Sequence, residues 1–470
     1  MRRAGLGTCF CPARKRGRCG QESSANLAHL LLCLAGQDPT RTRSIGRDTR
    51  FHAGPAPAVD SNAAALPAIA RERRYGAHNY APLPVVLAHG EGCWLWDEHG
   101  RRYLDMMSAY SAVSHGHAHP RIVRALVEQA QRLAVTSRAY HNELLPAFLQ
   151  RLTEVTGLDR ALPANGGAEA VETALKAARK WGHRIKGIPA DRAEIIVCAG
   201  NFHGRSITIV GFSSEPQYRD GFGPFTPGFR QVPYGDADAL ARAMGPDTAA
   251  FLVEPIQGEG GIVVPPAGYL GACARLCREN KVLLICDEIQ TGMGRTGKFL
   301  ASEHENVRPD GVILGKALGG GLLPVSALVG TDDLMQVFTP GDHGSTFGGN
   351  PLAAAVGLAA LEVLFDEGMI ARSAELGAHF LARLRTVQSP LIREVRGRGL
   401  FIGIEVDRDR IAARDVVDRL LARGILSKDT HGTVVRFAPP LTIDRATLDW
   451  AVEEVRAVFM ELGGGLRHAA

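Results

Sequence analysis

Val282-Leu-Leu-Ile-Cys-Asp287 is a short apolar run that ends in a charged residue, and so is Gly311-Val-Ile-Leu-Gly-Lys316. Three similar runs lie elsewhere in the chain: Glu194-Ile-Ile-Val-Cys-Ala199, Ala250-Phe-Leu-Val-Glu254 and Val325-Ser-Ala-Leu-Val329. The runs are continuous rather than alternating, which is typical of strands that helices cover on both faces. Amphipathic helical stretches alternate with them. The sequence therefore predicts an α/β fold with a mostly parallel sheet.

The ends of these strands are the predicted functional site, because ligands of open α/β sheets bind beyond the carboxyl ends of the strands. Asp287 and Lys316 stand at two such ends, 29 residues apart. A buried lysine is costly unless it is paired or used covalently. The two residues suit pyridoxal phosphate, whose aldehyde a lysine binds covalently while a carboxylate keeps the ring nitrogen protonated. An ordinary ion pair at the sheet edge is the alternative interpretation.

A helix that begins at a glycine pair is the next candidate for cofactor binding. It follows Asn165-Gly-Gly and is predicted to end at Gly182. The helix is indicated by apolar residues at positions i, i+3, i+4 and i+7, which are Val171, Ala174, Leu175 and Ala178. The free N–H groups of such a helix start bind anions, normally phosphate. A plain glycine-rich helix start without a ligand is the alternative.

The composition is that of an ordinary globular protein. The chain has 470 residues, 45% of them hydrophobic and 22% charged, which excludes a disordered, collagenous or coiled-coil protein. No apolar run approaches the ~20 residues that a membrane helix needs. The net charge of +5 arises in residues 1–60, where ten Lys/Arg stand against four Asp/Glu. The remainder carries 44 basic and 45 acidic side chains, so no nucleic-acid partner is expected.

The chain is predicted to contain several units, since its length exceeds that of one hydrophobic core. Residues 1–66 are interpreted as an N-terminal extension, either a transit peptide or a dispensable or mis-assigned segment of a bacterial protein, and the second reading is preferred. Residues 67–110 form an N-terminal segment, 111–360 a large domain, and 361–470 a smaller α+β domain. Nine irregularly spaced cysteines indicate a reducing compartment. A cytoplasmic location is expected, or the mitochondrial matrix if residues 1–66 are a transit peptide.

Several longer motifs indicate a resemblance to a known protein family. The chain resembles the class III, pyridoxal-phosphate-dependent aminotransferases of fold type I, and within them most closely the branch that uses ornithine. The resemblance covers nearly everything from Tyr75 to about residue 460. The motifs that carry it include Ala199-Gly-Asn-Phe-His-Gly-Arg, Val253-Glu-Pro-Ile-Gln-Gly-Glu, Asp287-Glu-Ile-Gln-Thr-Gly, Leu314-Gly-Lys-Ala-Leu and His343-Gly-Ser-Thr-Phe-Gly-Gly-Asn-Pro.

The resemblance implies a role for each residue of a cofactor site. Lys316 would bind the cofactor covalently and carry protons, and Asp287 would hold the pyridinium nitrogen. Gln290 would lie near the phenolic oxygen, and Phe202 would stack on the ring. The phosphate contacts would be Gly167 and Ala168, together with Ser345 and Thr346 from a neighbouring subunit. A homodimer, or a higher homo-oligomer, is then the functional unit.

The resemblance also implies the substrates, L-ornithine and 2-oxoglutarate. Tyr80 and Arg205 resemble the pair that holds the α-amino and α-carboxylate ends of ornithine, so that the δ-amine reaches the cofactor. Glu259 resembles the acid that masks Arg436 in that half of the reaction and frees it for the α-carboxylate of 2-oxoglutarate. Tyr110 resembles the residue that marks the ornithine branch. The product would be glutamate 5-semialdehyde, which cyclises to pyrroline-5-carboxylate and links arginine breakdown to proline and glutamate.

Rival interpretations remain open at this point. They are an acetylornithine or 4-aminobutyrate aminotransferase, a pyridoxal-phosphate aminomutase or racemase, and a non-catalytic binding protein of the same fold. His203 departs from the Trp that some ornithine enzymes carry at this place. The three histidines of Ser114-His-Gly-His-Ala-His-Pro120 are not expected to bind a metal, and Pro120 is predicted to start a helix.

Overall fold

The computed structural model describes residues 66–466. The predicted N-terminal extension, residues 1–66, therefore lies outside the described residues except for Leu66. The α-helices span Leu66–Tyr75, Pro120–Arg132, Leu145–Thr156, Gly167–Trp181, Ile207–Gly211, Pro216–Arg219, Ala237–Ala243, Tyr269–Glu279, Asp332–Met335, Pro351–Asp366, Met369–Arg385, Ala413–Ala422 and Arg445–Leu466. Within residues 66–466, no helix combines the length and the apolar character needed to cross a membrane.

The central sheet has seven strands. Their order is β4 (Arg160–Ala164), β10 (Ser326–Gly330), β9 (Gly311–Leu314), β8 (Leu283–Asp287), β7 (Thr248–Val253), β5 (Glu194–Cys198) and β6 (Phe229–Val232). Neighbours are parallel from β9 to β6, whereas β10 runs antiparallel to β9 and β4. Every residue of β7, β8, β9 and β10 is buried. The predicted α/β fold with a mostly parallel sheet of doubly covered strands is confirmed.

The glycine-initiated helix forms where it was predicted. It spans Gly167–Trp181 and buries all four residues of the apolar stripe. Gly182 keeps a helical φ of −52°, and the chain continues as a π-helical turn, Gly182–Lys186. A Cβ on Gly182 would lie 2.9 Å from the Cβ of Ala249. Glycine is therefore required here by close packing rather than by a change of backbone direction.

Two small sheets flank the central one. The first has the order β1 (Leu87–Glu91), β2 (Trp94–Asp97), β3 (Arg102–Asp105) and β13 (Ile425–Leu426). The second has the order β11 (Ile392–Gly397), β12 (Ile402–Val406), β15 (Val434–Phe437) and β14 (Lys428–Thr430). Because β13 pairs with β3, residues 67–110 and 361–470 share a sheet. The helix Pro351–Asp366 runs across residue 360, where the large domain was predicted to end.

The three closely spaced histidines contact different partners. His115 is buried and bonds to the carbonyl of Ala360 at 2.9 Å, whereas His117 bonds to Asp105 at 2.8 Å. His119 precedes the helix that Pro120 starts, as predicted. In residues 66–466 no group of three or more His, Cys, Asp or Glu side chains is arranged to hold a metal ion.

Candidate active site

Four strand ends meet at one edge of the central sheet and build the candidate site. β8 ends at Asp287, opposite Ile313 of the parallel strand β9, and Lys316 follows β9 by two residues. The chain beyond β7 supplies Glu254, and the chain beyond β5 supplies His203. Six residues predicted to bind the cofactor line one cavity of about 140 Å³: Gly167, Ala168, Phe202, Asp287, Gln290 and Lys316.

Lys316 is the amine of this cavity. Its backbone lies in the left-handed region, with a φ of 46°, at the start of the 3₁₀ turn Lys316–Gly319. Burial lowers the pKa of Lys316, and the carboxylates of Glu259 and Asp287 oppose this shift without cancelling it. A lysine whose ammonium form is disfavoured is more often present as the free amine, which is the form that acts as a nucleophile. The environment therefore prepares this amine for covalent chemistry.

The carboxylate of Asp287 accepts two hydrogen bonds. Its Oδ2 accepts a hydrogen bond from Nδ1 of His203 at 2.7 Å, and its Oδ1 accepts one from the N–H of Ile289 at 3.1 Å. Burial lowers the pKa of His203, but the hydrogen bond to Asp287 and the charges of Asp287 and Glu254 outweigh burial and raise it. The two hydrogen bonds fix the orientation of the Asp287 carboxylate.

Glu254 is a second buried carboxyl group at this edge. Its Oε1 accepts the N–H of Phe202 at 2.8 Å, and its Oε2 accepts the N–H of Gly258 at 3.1 Å. Burial raises the pKa of Glu254 to about 7; Asp287 adds to this shift, whereas His203 and the two N–H groups oppose it. Glu254 thus ties the segment that carries Phe202 to the loop after β7.

Close backbone approach shapes two walls of the cavity. A Cβ on Gly258 would lie 1.8 Å from Oε1 of Gln290, so the side chain of Gln290 occupies the space that any larger residue would need. Gly204, with a φ of 129°, would place a Cβ 2.9 Å from the Cβ of Ala168. These two glycines let Gln290 and the helix start at Gly167 face the same cavity.

A second cluster lies beside Lys316 and contains three residues predicted to bind substrate. Nη1 of Arg436, on β15, donates to Oε1 of Glu259 at 2.6 Å. The side chain of Arg436 is 6% exposed and that of Glu259 is 18% exposed. The Cζ of Arg436 lies 5.2 Å from the ring centroid of Tyr110. Since a buried guanidinium needs a partner, Glu259 satisfies Arg436.

Tyr110 is presented by an unusual backbone. Ser108, Ala109, Tyr110 and Ser111 all have φ between 43° and 73°, the left-handed region that costs residues other than glycine about 1–2 kcal/mol each. Fixed hydrogen bonds offset this cost. Oδ1 of Asp105 accepts the N–H groups of Met107 and Ser108 at 2.9 and 2.8 Å.

The side chain of Arg295 also holds the turn that carries Tyr110. Its side chain is fully buried, and it donates to Oγ of Ser114 at 2.8 Å and to the carbonyl of Leu400 at 3.0 Å. It also donates to the carbonyl of Pro439, three residues after Arg436. Burial lowers the pKa of Arg295 to about 9, partly offset by Asp105. The turn that carries Tyr110 and the strand that carries Arg436 are therefore joined by one guanidinium.

The remaining predicted residues lie outside the cavity of Lys316. Arg205 is exposed and lies with its Cζ 5.6 Å from the ring centroid of Phe202. Tyr80 is 78% exposed. Ser345 and Thr346 are exposed; Ser345 lines a neighbouring cavity of about 410 Å³ together with Ala168. Its Oγ accepts the N–H of Gly348 at 2.9 Å.

Comparison with known proteins identifies the family. Residues 75–459 match the family model Aminotransferase class-III. The chain belongs to the class-III aminotransferases. It is 54% identical over 390 residues to the ornithine aminotransferase of Brevibacillus brevis. The aligned region covers 83% of this chain and 97% of the Brevibacillus protein.

Solved structures of class-III aminotransferases share the fold. The ornithine aminotransferase of Toxoplasma gondii has a TM-score of 0.84 at 47% identity and covers 85% of this chain and 96% of that one. The acetylornithine aminotransferase of Elizabethkingia anophelis has a TM-score of 0.77 at 45% identity and covers 84% of this chain and 99% of that one. The structural similarity therefore includes class-III aminotransferases that are named for different amino donors, ornithine and acetylornithine.

Class-III aminotransferases are pyridoxal-phosphate enzymes, and the residues present fit that cofactor. Gly166 caps the helix Gly167–Trp181 without any side-chain hydrogen bond, so its first N–H groups are open to a phosphate. Asp287, held by His203, is a carboxylate that would pair with a protonated ring nitrogen. Lys316 offers an amine with a lowered pKa. When bound, the cofactor supplies an electron sink for negative charge at the substrate carbon.

Several residues of this site were not found from the sequence. Glu254 carries the signal that pointed to Asp287, a carboxylate directly after a buried run, and the same argument would have found it. His203 was noted only as a departure from Trp. Arg295 and the left-handed turn gave no signal, because neither a buried cation nor a positive φ at Ser and Ala is visible in local sequence.

The pair of His203 and Asp287 makes stability depend on pH. His203→Gln should cost about 1.5–3 kcal/mol in the free energy of unfolding, as for a hydrogen bond to a charged group. Because the folded pKa of His203 is raised, this stabilisation is fully present below its unfolded value of 6.5 and is lost as pH rises through the folded value. Denaturant unfolding at about pH 6 and about pH 9 measures the difference.

His99→Gln is the matched control, because His99 is an exposed histidine near a carboxylate, 3.9 Å from Glu98. Its effect should be small at both pH values. A deficit of His203→Gln that stays constant or grows towards alkaline pH would contradict the assignment.

Proposed function

We propose that this protein is an ornithine δ-aminotransferase that passes the δ-amino group of L-ornithine to 2-oxoglutarate. The observation that carries the proposal is the ion pair of Arg436 and Glu259 under Tyr110, 2.6 Å from Nη1 to Oε1. A hidden carboxylate receptor beside Lys316 is useful to an enzyme that must bind two differently charged substrates in one site. The curated relatives named as ornithine aminotransferases support the same choice.

In the donor half of the reaction, the chain has to keep the α-end of ornithine away from Lys316. Arg205 binds the α-carboxylate and Tyr80 the α-amino group, so the δ-amine points to the cavity. Glu259 meanwhile holds Arg436, which denies the α-carboxylate a second receptor near the reacting atom. Lys316, as the free amine, then moves the proton at the δ-carbon.

In the acceptor half, the same cavity has to place the keto carbon of 2-oxoglutarate at Lys316. Its α-carboxylate displaces Glu259 and binds Arg436, and its distal carboxylate binds Arg205. A bidentate contact between arginine and carboxylate is worth about 1.5–3 kcal/mol, roughly 10- to 150-fold in affinity. Release of Arg436 is therefore sufficient to reverse the preferred orientation of the substrate.

An acetylornithine aminotransferase is the second candidate, supported by the likeness to the Elizabethkingia enzyme. An acetylated α-amine is neutral and bulkier than the free ammonium group, so the two donors differ where Tyr80 and Tyr110 stand. We prefer ornithine because both tyrosines offer hydroxyl groups to the α-end. An aminomutase or racemase would have no need to hide Arg436.

Donor profiling tests the proposed reaction. Purified protein with added pyridoxal phosphate should convert ornithine and 2-oxoglutarate to a product that reacts with o-aminobenzaldehyde, faster than it uses acetylornithine or 4-aminobutyrate. Lys316→Ala should lower kcat at least about 100-fold, because it removes the group that moves the proton. No ornithine turnover alongside activity on either rival donor would overturn the donor assignment.

Removal of the Glu259 carboxylate, which masks Arg436, should change which amine of ornithine reacts. Glu259→Gln should raise the share of α-amine reaction, with glutamate as donor and with ornithine, by up to about 10- to 150-fold, because Arg436 is then always available. Product analysis by nuclear magnetic resonance separates the two cyclic imines that ornithine yields. Glu453→Gln, which removes a surface carboxylate bonded to Arg383 at 2.9 Å, is the matched control. Unchanged regiochemistry in Glu259→Gln would refute the switch.

A homodimer is part of the proposal, since Ser345 and Thr346 lie outside the cavity of Lys316 and are exposed. We expect them to contact the phosphate in the partner's site. Lys316→Ala and Thr346→Ala chains, each impaired alone at limiting cofactor, should recover about a quarter of wild-type activity when mixed, because each mixed dimer then holds one intact site. No recovery would place Thr346 in its own chain's site. A cytoplasmic role that joins arginine breakdown to proline and glutamate completes the proposal.

A further inference from the structure

Arg205 lies against the ring of Tyr218, a residue for which the sequence predicted no role. Its Cζ is 3.6 Å from the ring centroid of Tyr218, closer than to that of Phe202, at 5.6 Å. The two rings meet edge to face, with centroids 6.1 Å apart and planes at 79°. The guanidinium of Arg205 is therefore flanked by aromatic side chains at the mouth of the cavity that Phe202 lines.

Both partners of this contact have an anchored backbone. Ser206, next to Arg205, caps the helix Ile207–Gly211 and donates from its Oγ to Glu172 at 2.5 Å. Tyr218 belongs to the short helix Pro216–Arg219, whose cap is the side chain of Glu215. Arg219 then donates to the carbonyl of Ser213 at 3.1 Å. The backbone segments that carry Arg205 and Tyr218 are thus each held by side-chain hydrogen bonds.

A stacked guanidinium differs in availability from a paired one. A ring contacts the flat face of the guanidinium and leaves the N–H groups at its edge free, whereas a carboxylate occupies them. Arg436 is held by Glu259 and has to be released before it binds substrate. Arg205 is held by Tyr218 and needs no release. Arg436 is therefore a carboxylate receptor that can be switched, whereas Arg205 is a carboxylate receptor that is always available.

We propose that Tyr218 is a positioning residue that sets specificity for substrates with a carboxylate remote from the reacting carbon, by holding Arg205 flat and open. This inference rests on the proposed function for the role of Arg205. The substrate class is amino donors and oxo acids that carry a distal carboxylate. Prior ordering of a long flexible side chain lowers the entropy that binding would otherwise cost.

Binding of glutarate to the holoenzyme tests the inference without turnover. Glutarate is a five-carbon dicarboxylate with no reacting carbonyl, and its binding is followed through the absorption of the cofactor. Tyr218→Leu should weaken glutarate binding about 2- to 30-fold, the range expected from loss of a cation–π contact. Tyr218→Phe keeps the ring and should bind within about twofold of wild type. Tyr218→Met serves as a second replacement that lacks the ring.

A double-mutant cycle separates positioning from packing. In an Arg205→Met background, Tyr218→Leu should have no further effect on the glutarate Kd, because the group that Tyr218 orients is gone. Equal weakening by Tyr218→Leu in both backgrounds, or weakening by Tyr218→Phe as large as by Tyr218→Leu, would overturn the inference. Loss of ornithine turnover in the wild type would overturn only the proposed function, since the glutarate cycle does not depend on it.

Discussion

The parallel pairing of β8 with β9 builds the candidate active site. It brings the carboxylate of Asp287 and the amine of Lys316 to the same sheet edge from positions 29 residues apart. Burial then affects two side chains of this site in different ways. It disfavours the ammonium form of Lys316, whereas in His203 the hydrogen bond to Asp287 outweighs burial and raises the pKa. A nucleophilic amine and a fixed anion in one small cavity suit a cofactor that has an aldehyde and a basic ring nitrogen.

Around this centre, two arginines are held by different means. Arg436 is buried and bonded to Glu259, so it becomes available only when another carboxylate competes for it. Arg205 is exposed, and its Cζ lies 3.6 Å from the ring centroid of Tyr218. The left-handed turn places the ring of Tyr110 with its centroid 5.2 Å from Cζ of Arg436. In the proposed function, these contacts let one site accept in turn a donor with two ammonium groups and a dianionic acceptor.

Local sequence predicted the parts of the structure that local physics determines. The five apolar runs became strands, and the helix after Asn165 began at its glycines, because burial on both faces and a free helix start leave clear patterns. Other features depend on contacts between distant segments. The positive φ of Ser108 is sustained by the nearby Asp105 and also by Arg295, which lies 187 residues further along the chain. Tyr218 matters only because the fold places it 3.6 Å from Arg205.

Covalent attachment of the cofactor at one lysine is the central claim, and reduction with borohydride tests it most directly. Reduction makes the bond between pyridoxal phosphate and a lysine amine permanent, and peptide mass spectrometry then identifies the modified residue. We predict that the label lies on Lys316 at close to one per chain and is absent from Lys316→Ala. A label on any other lysine, or none on holoprotein that contains the cofactor, would contradict the account.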